Sequence, residues 1–68
     1  MRRSGKIKLS IYQNNRIVIE NYQRLLDLNE EYIRVDIYTI VGKFLKLIQM
    51  DNYMIEVIGT IDQVLIEG

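Results

Sequence analysis

The side chains of this 68-residue chain that could perform acid–base or metal chemistry are its nine carboxylates, because histidine and cysteine are absent. The usual ligands of zinc, haem and iron, and the commonest general base, are therefore missing. The carboxylates are scattered, mostly at predicted turns or on polar strand positions: Asp27, Asp36, Asp51, Asp62, Glu20, Glu30, Glu31, Glu56 and Glu67. A glycosidase-type pair needs a fixed separation across a cleft, which so short a chain does not easily build. The sequence thus predicts no enzyme, with no catalytic residue, metal or cofactor.

The length of the chain predicts one small domain that depends on packing or association for its stability. Chains shorter than about 80 residues usually need a disulfide, a metal, idealised packing or oligomerisation. The absence of cysteine excludes a disulfide, and a hydrophobic content of 49% suits packing or oligomerisation. No run approaches the ~20 apolar residues of a membrane span, and Met1-Arg2-Arg3 is followed by polar residues, unlike a signal peptide. We therefore expect a soluble, cytoplasmic protein.

A basic N-terminal arm, residues 1–8, is predicted to precede a single small β domain, residues 9–68. Its cationic residues are Arg2, Arg3, Lys6 and Lys8. Since the chain has nine cationic residues and nine carboxylates, the domain that follows the arm is net acidic. Two interpretations of the arm stay open. It is either a solvated terminus or a contact to nucleic acid or to an anionic membrane surface.

The hydrophobic pattern predicts β-strands, since isoleucine, valine and tyrosine are abundant and proline and alanine are absent. Short runs of alternating apolar and polar residues are separated by turn signals, as in KIKLSIY, RIVIE and YIRVDIY. One phase of the alternation is the expected core face: Ile7, Leu9, Ile11, Ile17, Ile19, Ile33, Val35, Ile37, Leu45, Leu47, Ile55 and Val57. We expect an all-β fold, an antiparallel meander of six to seven short strands rolled into a small barrel or a sandwich-like sheet.

Turns are predicted where asparagine, aspartate, glutamate and glycine interrupt the alternation. The turn signals are Gln13–Asn15, Asn29–Glu31 and Asp51-Asn52. Gly42 predicts a corner, and Gly59, inside an apolar run, predicts a β-bulge or a close backbone approach. One alternative stays open, because leucines at near-helical spacing also permit a short helix from Tyr22 to Glu31.

Apolar residues also occupy the phase opposite the expected core, and this second face is the most informative feature of the sequence. The candidate interaction face consists of Tyr32, Tyr38, Phe44, Ile48, Met54 and Ile58, and its phase is shared by Val18, Val64 and Ile66. A contiguous exposed apolar patch usually marks an interaction surface, and open sheet edges invite pairing. Either the protein associates with itself or a partner through this face, or the sheet rolls over and buries both phases.

Another class of function is open, a small β-barrel that binds single-stranded nucleic acid through aromatic residues on a basic sheet face. The aromatic residues are Tyr12, Tyr22, Tyr32, Tyr38, Phe44 and Tyr53. Basic residues interleave with them only at Tyr32-x-Arg34 and Phe44-x-Lys46, and the chain after the arm is net acidic. These features favour assembly over nucleic-acid binding.

Two stretches, IVIENYQRLLDLNEEYIRV and VGKFLKLIQMDNYMIEVIGTIDQVLIE, resemble the YabP/YqfC family of bacterial sporulation proteins, and the resemblance covers nearly the whole chain. That family shows a strand, a short apolar run, a polar turn, a glycine before an LxI-like strand, and a final IxIxGxIxxI-like segment. The matching elements here are Ile17–Ile19, Leu25–Leu28, Asn29–Glu31, Gly42 with Leu45-x-Leu47, and Ile55-x-Val57-x-Gly59-x-Ile61-x-x-Val64.

The resemblance implies a non-enzymatic role in endospore formation. Members of the family are small proteins of the mother cell that are needed to build the outer layers of the spore. They are often encoded beside a membrane-protein partner. The resemblance transfers no catalytic residue. It implies that this chain acts in coat or cortex morphogenesis, as a homo-oligomer or on a membrane-bound sporulation protein at the forespore surface.

Overall fold

The computed structural model of the chain describes residues 6–67, and every regular element within that range is a β-strand. The strands are β1 (Lys8–Tyr12), β2 (Arg16–Glu20), β3 (Leu25–Leu28), β4 (Tyr32–Val35), β5 (Tyr38–Met50) and β6 (Met54–Ile66). The segment that could alternatively have been a helix contains β3. The all-β prediction is confirmed, although β5 and β6 are 13 residues long rather than short.

The six strands form one antiparallel sheet in the order β1-β2-β6-β5-β4-β3. Strands that are consecutive in sequence are neighbours in the sheet, with one exception: β2 pairs with β6 and not with β3. The long hairpin β5–β6 is the centre of the sheet. The hairpin β1–β2 pairs with the beginning of β6, and the hairpin β3–β4 pairs with the beginning of β5. The sheet is not closed into a barrel, and its ends are β1 and β3.

The sheet has two halves that share one hydrophobic core. The first half contains β1, β2, the start of β6 and the end of β5; the second contains β3, β4, the start of β5 and the end of β6. Fully buried residues come from both halves: Ile17, Ile19, Ile55 and Val57 from the first, and Ile33, Val35 and Ile40 from the second. They belong to a single cluster. We call the side of the sheet that faces this cluster the inner face and the opposite side the outer face.

Two glycines of the central hairpin lie close to the backbone of the opposite strand. A Cβ atom on Gly42 would lie 2.0 Å from the Thr60 carbonyl oxygen, and one on Gly59 would lie 2.8 Å from the Phe44 carbonyl oxygen. Gly59 also has a φ of 140°, which L side chains rarely adopt. The register shifts between Lys43 and Lys46, as expected of a β-bulge. The prediction for Gly59 is therefore confirmed, whereas Gly42 lies within β5 and not at a corner between strands.

The run YIRVDIY is not one strand, because the chain reverses after Val35. Asp36 adopts a left-handed φ of 53°, and Val35 pairs directly with Tyr38 across the turn. The Asp36 carboxylate accepts hydrogen bonds from the amides of Gln23 (2.7 Å) and Arg24 (2.9 Å). Ile37 consequently lies in the turn and is 40% exposed, so its prediction as a core residue is wrong. Ile11, also predicted in the core, is 47% exposed because it lies on the edge strand β1.

Candidate interaction surface

Most of the predicted interaction face is exposed at the outer face or at bulges. Phe44 is 77% exposed, and Tyr32, Ile48 and Ile58 are also exposed. Met54 is half-buried, and lies opposite Glu20 of β2. Lys46 lies directly opposite Ile58 and lines a cleft with Phe44. Phe44 and Ile58 therefore both lie beside Lys46. Tyr32 lies in the second half of the sheet.

Tyr38 does not belong to the outer face, and this part of the prediction is wrong. Directly paired residues of neighbouring strands project to the same side of a sheet. Tyr38 is paired with Val35, which is fully buried, so Tyr38 shares the inner face. The turn at Asp36 changes the phase that a continuous strand would have kept.

Val64 and Ile66 also lie on the inner face, contrary to the sequence pattern. Gln63 pairs with Val41 and Ile61 pairs with Gly42, so Asp62 is an extra residue that shifts the phase. Val64 packs against the core as a result. Ile66 pairs with Tyr38 at the rim of the inner face and is 70% exposed.

The backbone of Phe44 is held in an unusual conformation for an aromatic residue. Its φ is 55°, in a region that non-glycine residues adopt infrequently. The amide of Leu45 donates a 2.9 Å hydrogen bond to the Glu30 carbonyl oxygen, which fixes this bulge against the β3–β4 turn. Glu30, Phe44, Leu45 and Lys46 line a shallow cleft of about 290 Å³. Backbone strain at a surface residue is a reason to look for a function there.

An ion pair on the outer face had no clear signal in the sequence. The Nε atom of Arg16 lies 2.5 Å from Glu56 Oε2, and the Glu56 side chain is only 11% exposed. The guanidinium of Arg16 also lies 5.2 Å from the centre of the Tyr12 ring. The ion pair forms because β2 and β6 are neighbours, a pairing between strands distant in sequence, whereas Tyr12 lies opposite Arg16 within the β1–β2 hairpin. The ion pair joins β2 to β6 on the outer face, beside Ile58.

Only Lys6 and Lys8 of the four cationic residues of the basic arm lie within the described residues. Arg2 and Arg3 lie outside the described residues. Lys6 precedes β1 and is exposed, and its carbonyl oxygen accepts a 3.0 Å hydrogen bond from the Asn21 side-chain amide. Lys8, assigned to the arm from the sequence, is the first residue of β1 and lies opposite Glu20.

Several carboxylates have structural roles in turns. The Asp51 carboxylate accepts hydrogen bonds from the amides of Met54 and Tyr53, each 2.8 Å long. These two bonds lower the pKa of Asp51 from its usual value of 3.8. The Asn29 side chain accepts equivalent bonds from Glu31 and Tyr32 in the β3–β4 turn. These two turns therefore form where the sequence predicts them.

Between residues 6 and 67 no cluster of acidic side chains is arranged to hold a metal ion. The same part of the chain contains no helix long and apolar enough to cross a membrane. Comparison with protein-family models, with curated protein sequences and with solved structures finds no match.

Proposed function

We propose that this protein is a non-enzymatic assembly protein of endospore formation, acting in the mother-cell cytoplasm at the forespore surface. It would contribute to coat or cortex morphogenesis by self-association or by docking on a membrane-bound partner. The sporulation role is supported by the resemblance of the chain to the YabP/YqfC family. The structural observation that carries the assembly role is the exposure of apolar side chains around Phe44.

Exposed apolar area around Phe44 provides the energy for such a contact. Fully burying a phenylalanine side chain contributes on the order of 1.5–3 kcal/mol. Phe44 is 77% exposed and Ile58 lies nearby across Lys46, so a partner can cover both. The hydrogen bond of the bulge fixes the backbone at Phe44 before binding, which lowers the backbone entropy lost on association.

A fluorescent fusion in sporulating cells of the source organism tests this proposal. We expect a shell of fluorescence around the forespore, and we expect Phe44→Asn to weaken it. Asparagine suits the left-handed backbone of this position, so the substitution removes the ring without adding strain. Tyr53→Asn, at the exposed hairpin tip, is the matched control. Diffuse fluorescence of the unmodified fusion throughout sporulation would overturn the proposal.

One observation favours nucleic-acid binding as a second candidate. The exposed ring of Phe44 is flanked by the exposed residues Lys43 and Lys46, a combination that can stack a base and contact phosphate. Titration with a labelled single-stranded oligonucleotide at two salt concentrations tests it, because phosphate contacts weaken as salt rises. Binding that is lost in Lys46→Glu but not in Lys6→Glu would favour this candidate, and the absence of binding would eliminate it.

The basic arm could add attraction to an anionic membrane at the forespore surface. Each arginine near such a surface contributes about 1 kcal/mol. Co-sedimentation with anionic vesicles, comparing the natural chain with an Arg2→Glu/Arg3→Glu variant, measures this contribution. Equal binding of the two would remove the arm from the proposal.

A further inference from the structure

The end of β6 presents an open strand edge. Within residues 6–67, β2 pairs with β6 only as far as Ile58, and the β1–β2 turn reaches only to Ile61, whose amide donates to the Asn14 carbonyl oxygen. The Glu67 amide donates a 2.7 Å hydrogen bond toward β5, to the Ile37 carbonyl oxygen. Since backbone direction alternates along an antiparallel strand, the amide and carbonyl groups of Val64 and Ile66 point away from β5, toward the open edge.

Among the strands that the structure describes, β1 presents a second open edge. The Asn15 amide donates to the Tyr12 carbonyl oxygen within the β1–β2 turn, so the backbone groups of Tyr12 point toward β2. By the same alternation, the backbone groups of Leu9 and Ile11 point away from β2. Both residues lie on the inner face, because they pair with the fully buried Ile19 and Ile17.

The two edges match each other. On both strands, the residues whose backbone points outward also carry apolar side chains on the inner face. We propose that β1 of one copy pairs antiparallel with Gln63–Glu67 of a second copy, with Leu9 opposite Ile66 and Ile11 opposite Val64. Each of these two pairs would exchange two backbone hydrogen bonds. The exposed side chains of Ile11 and Ile66 would each gain an apolar neighbour.

Charge complementarity favours the pairing of β1 with the end of β6 over a pairing of two β1 edges or of two β6 edges. The same register places Lys8 opposite Glu67 on the outer face. Lys8 has no carboxylate within ion-pair distance in the described part of its own chain. In a pairing of two β6 edges with Val64 opposite Ile66, Glu67 would lie opposite Gln63, and in a pairing of two β1 edges with Leu9 opposite Ile11, Lys8 would lie opposite Tyr12. Neither like-edge pairing contains an opposite-charge pair, and opposite charges across a strand pair are stabilising.

The remaining open edges are less suited to pairing. An extra residue interrupts β3 at Leu26 and the end of β5 at Ile48. Such bulges disrupt the regular ladder that an added strand needs. The segment Gln63–Ile66 has no register shift. The proposed register also ends before Asp62, so the hydrogen bond between Ile61 and the β1–β2 turn is kept.

The contact joins two different edges, and each copy carries both. A two-fold axis between the copies would form the contact twice in one closed dimer, with β1 of each copy paired to the β6 edge of the other; without that axis the contact continues to a third copy, as in rings and open filaments. The inference deepens the proposed assembly role and rests on it for its biological meaning. It identifies the partner as a second copy and the contact as strand addition.

Cysteine cross-linking tests the register, because the natural chain contains no cysteine. Ser10 and Leu65 would face each other in a non-hydrogen-bonded pair, with Cα atoms about 4.5 Å apart, within disulfide range. We expect an isotope-labelled Ser10→Cys chain mixed with Leu65→Cys to form a mixed disulfide faster than either chain forms its own. Ser10→Cys mixed with Thr60→Cys is the control, since Thr60 is exposed on β6 outside the register. Equal rates in the two mixtures would overturn the register.

Charge exchange provides the second measurement. We expect the mean mass from light scattering to fall in Lys8→Glu and in Glu67→Lys, and to recover when the two variants are mixed. Self-association that neither substitution alters would overturn this contact, while a forespore shell would still support the assembly role. A monomer at every concentration would overturn self-association through this edge. A forespore shell would then indicate docking on another protein.

Discussion

At the scale of single residues, the ion pair between Arg16 and Glu56 is asymmetric. The Arg16 side chain is 50% exposed, whereas the Glu56 side chain is 11% exposed. Removing the arginine therefore leaves a nearly buried carboxylate without its partner. We expect Arg16→Met to lower the free energy of unfolding by about 1–3 kcal/mol, the cost of an unsatisfied buried group. Urea denaturation measures the change.

Two further variants show whether the loss arises from the unpaired charge. Arg16→Met/Glu56→Met should be more stable than Arg16→Met alone, because the double variant contains no unpaired buried carboxylate. Arg34→Met should cost less than about 1 kcal/mol, since the contact of Arg34 with Asp27 is exposed and 3.6 Å long. Equal losses of unfolding free energy in Arg16→Met and Arg34→Met would show that the burial of Glu56 makes no difference.

The pKa of Asp51 predicts a pH dependence of stability. Hydrogen bonds from the amides of Met54 and Tyr53 favour the charged carboxylate, so its pKa is lower in the folded chain than its usual 3.8. The stabilisation is fully present above the unfolded value and is lost as the pH falls through the folded value. We expect Asp51→Ala to be less stable than the natural chain at pH 7, with a difference that shrinks below pH ~4. Thermal unfolding across this pH range measures the difference in stability, with Asp62→Ala as the control. A difference between Asp51→Ala and the natural chain that stays constant with pH would contradict the role of the two hydrogen bonds.

At the scale of elements, the close approach of β5 and β6 in the central hairpin depends on the absence of two side chains. Alanine at Gly42 would place its Cβ 2.0 Å from a backbone oxygen of Thr60, and alanine at Gly59 would also meet backbone atoms. Backbone atoms cannot rotate away as a flexible side chain can. We expect each substitution to lower the free energy of unfolding by about 1–3 kcal/mol or more. Thr60→Ala, at an exposed site, should change it by less than about 0.5 kcal/mol, and glycine variants as stable as this control would contradict the close approach.

Local patterns predict much of this fold. Alternation correctly places residues such as Ile17, Ile33 and Val57 in the core, and the asparagine and aspartate turns lie where they are expected. Alternation fails at Asp36, where a carboxylate bonded to a distant segment stabilises a left-handed turn, and at Asp62, where a bulge changes the phase. Both depend on contacts between segments that are distant in sequence.

The candidate interaction face was only partly predictable for the same reason. The exposure of Phe44 follows from the sequence phase, but its left-handed backbone depends on Glu30 and on the close approach of Gly59. The open edge at Ile66 depends on β2 pairing with β6. Single-strand periodicity contains no information about which strands become neighbours, so it could not locate that edge.

At the scale of the whole molecule, the two halves of the sheet should unfold together because they bury residues in one cluster. Ile17 belongs to the first half and Ile33 to the second, and both are fully buried. We expect Ile17→Ala and Ile33→Ala each to cost about 2–5 kcal/mol and to shift a single transition. Far-ultraviolet circular dichroism and tyrosine fluorescence should report the same midpoint. Two separate transitions in either variant would show that the halves are independent.

The pairing of β2 with β6 also has a consequence during protein synthesis. The β1–β2 hairpin leaves the ribosome first, yet its neighbour in the sheet is the last of the six strands. The β3–β4 hairpin meets β5 earlier. Translation at about 5–20 residues per second therefore leaves β1 and β2 without their final partner until β6 has emerged. The first hairpin to be made is therefore the last to dock, and its apolar face stays uncovered in the nascent chain until then.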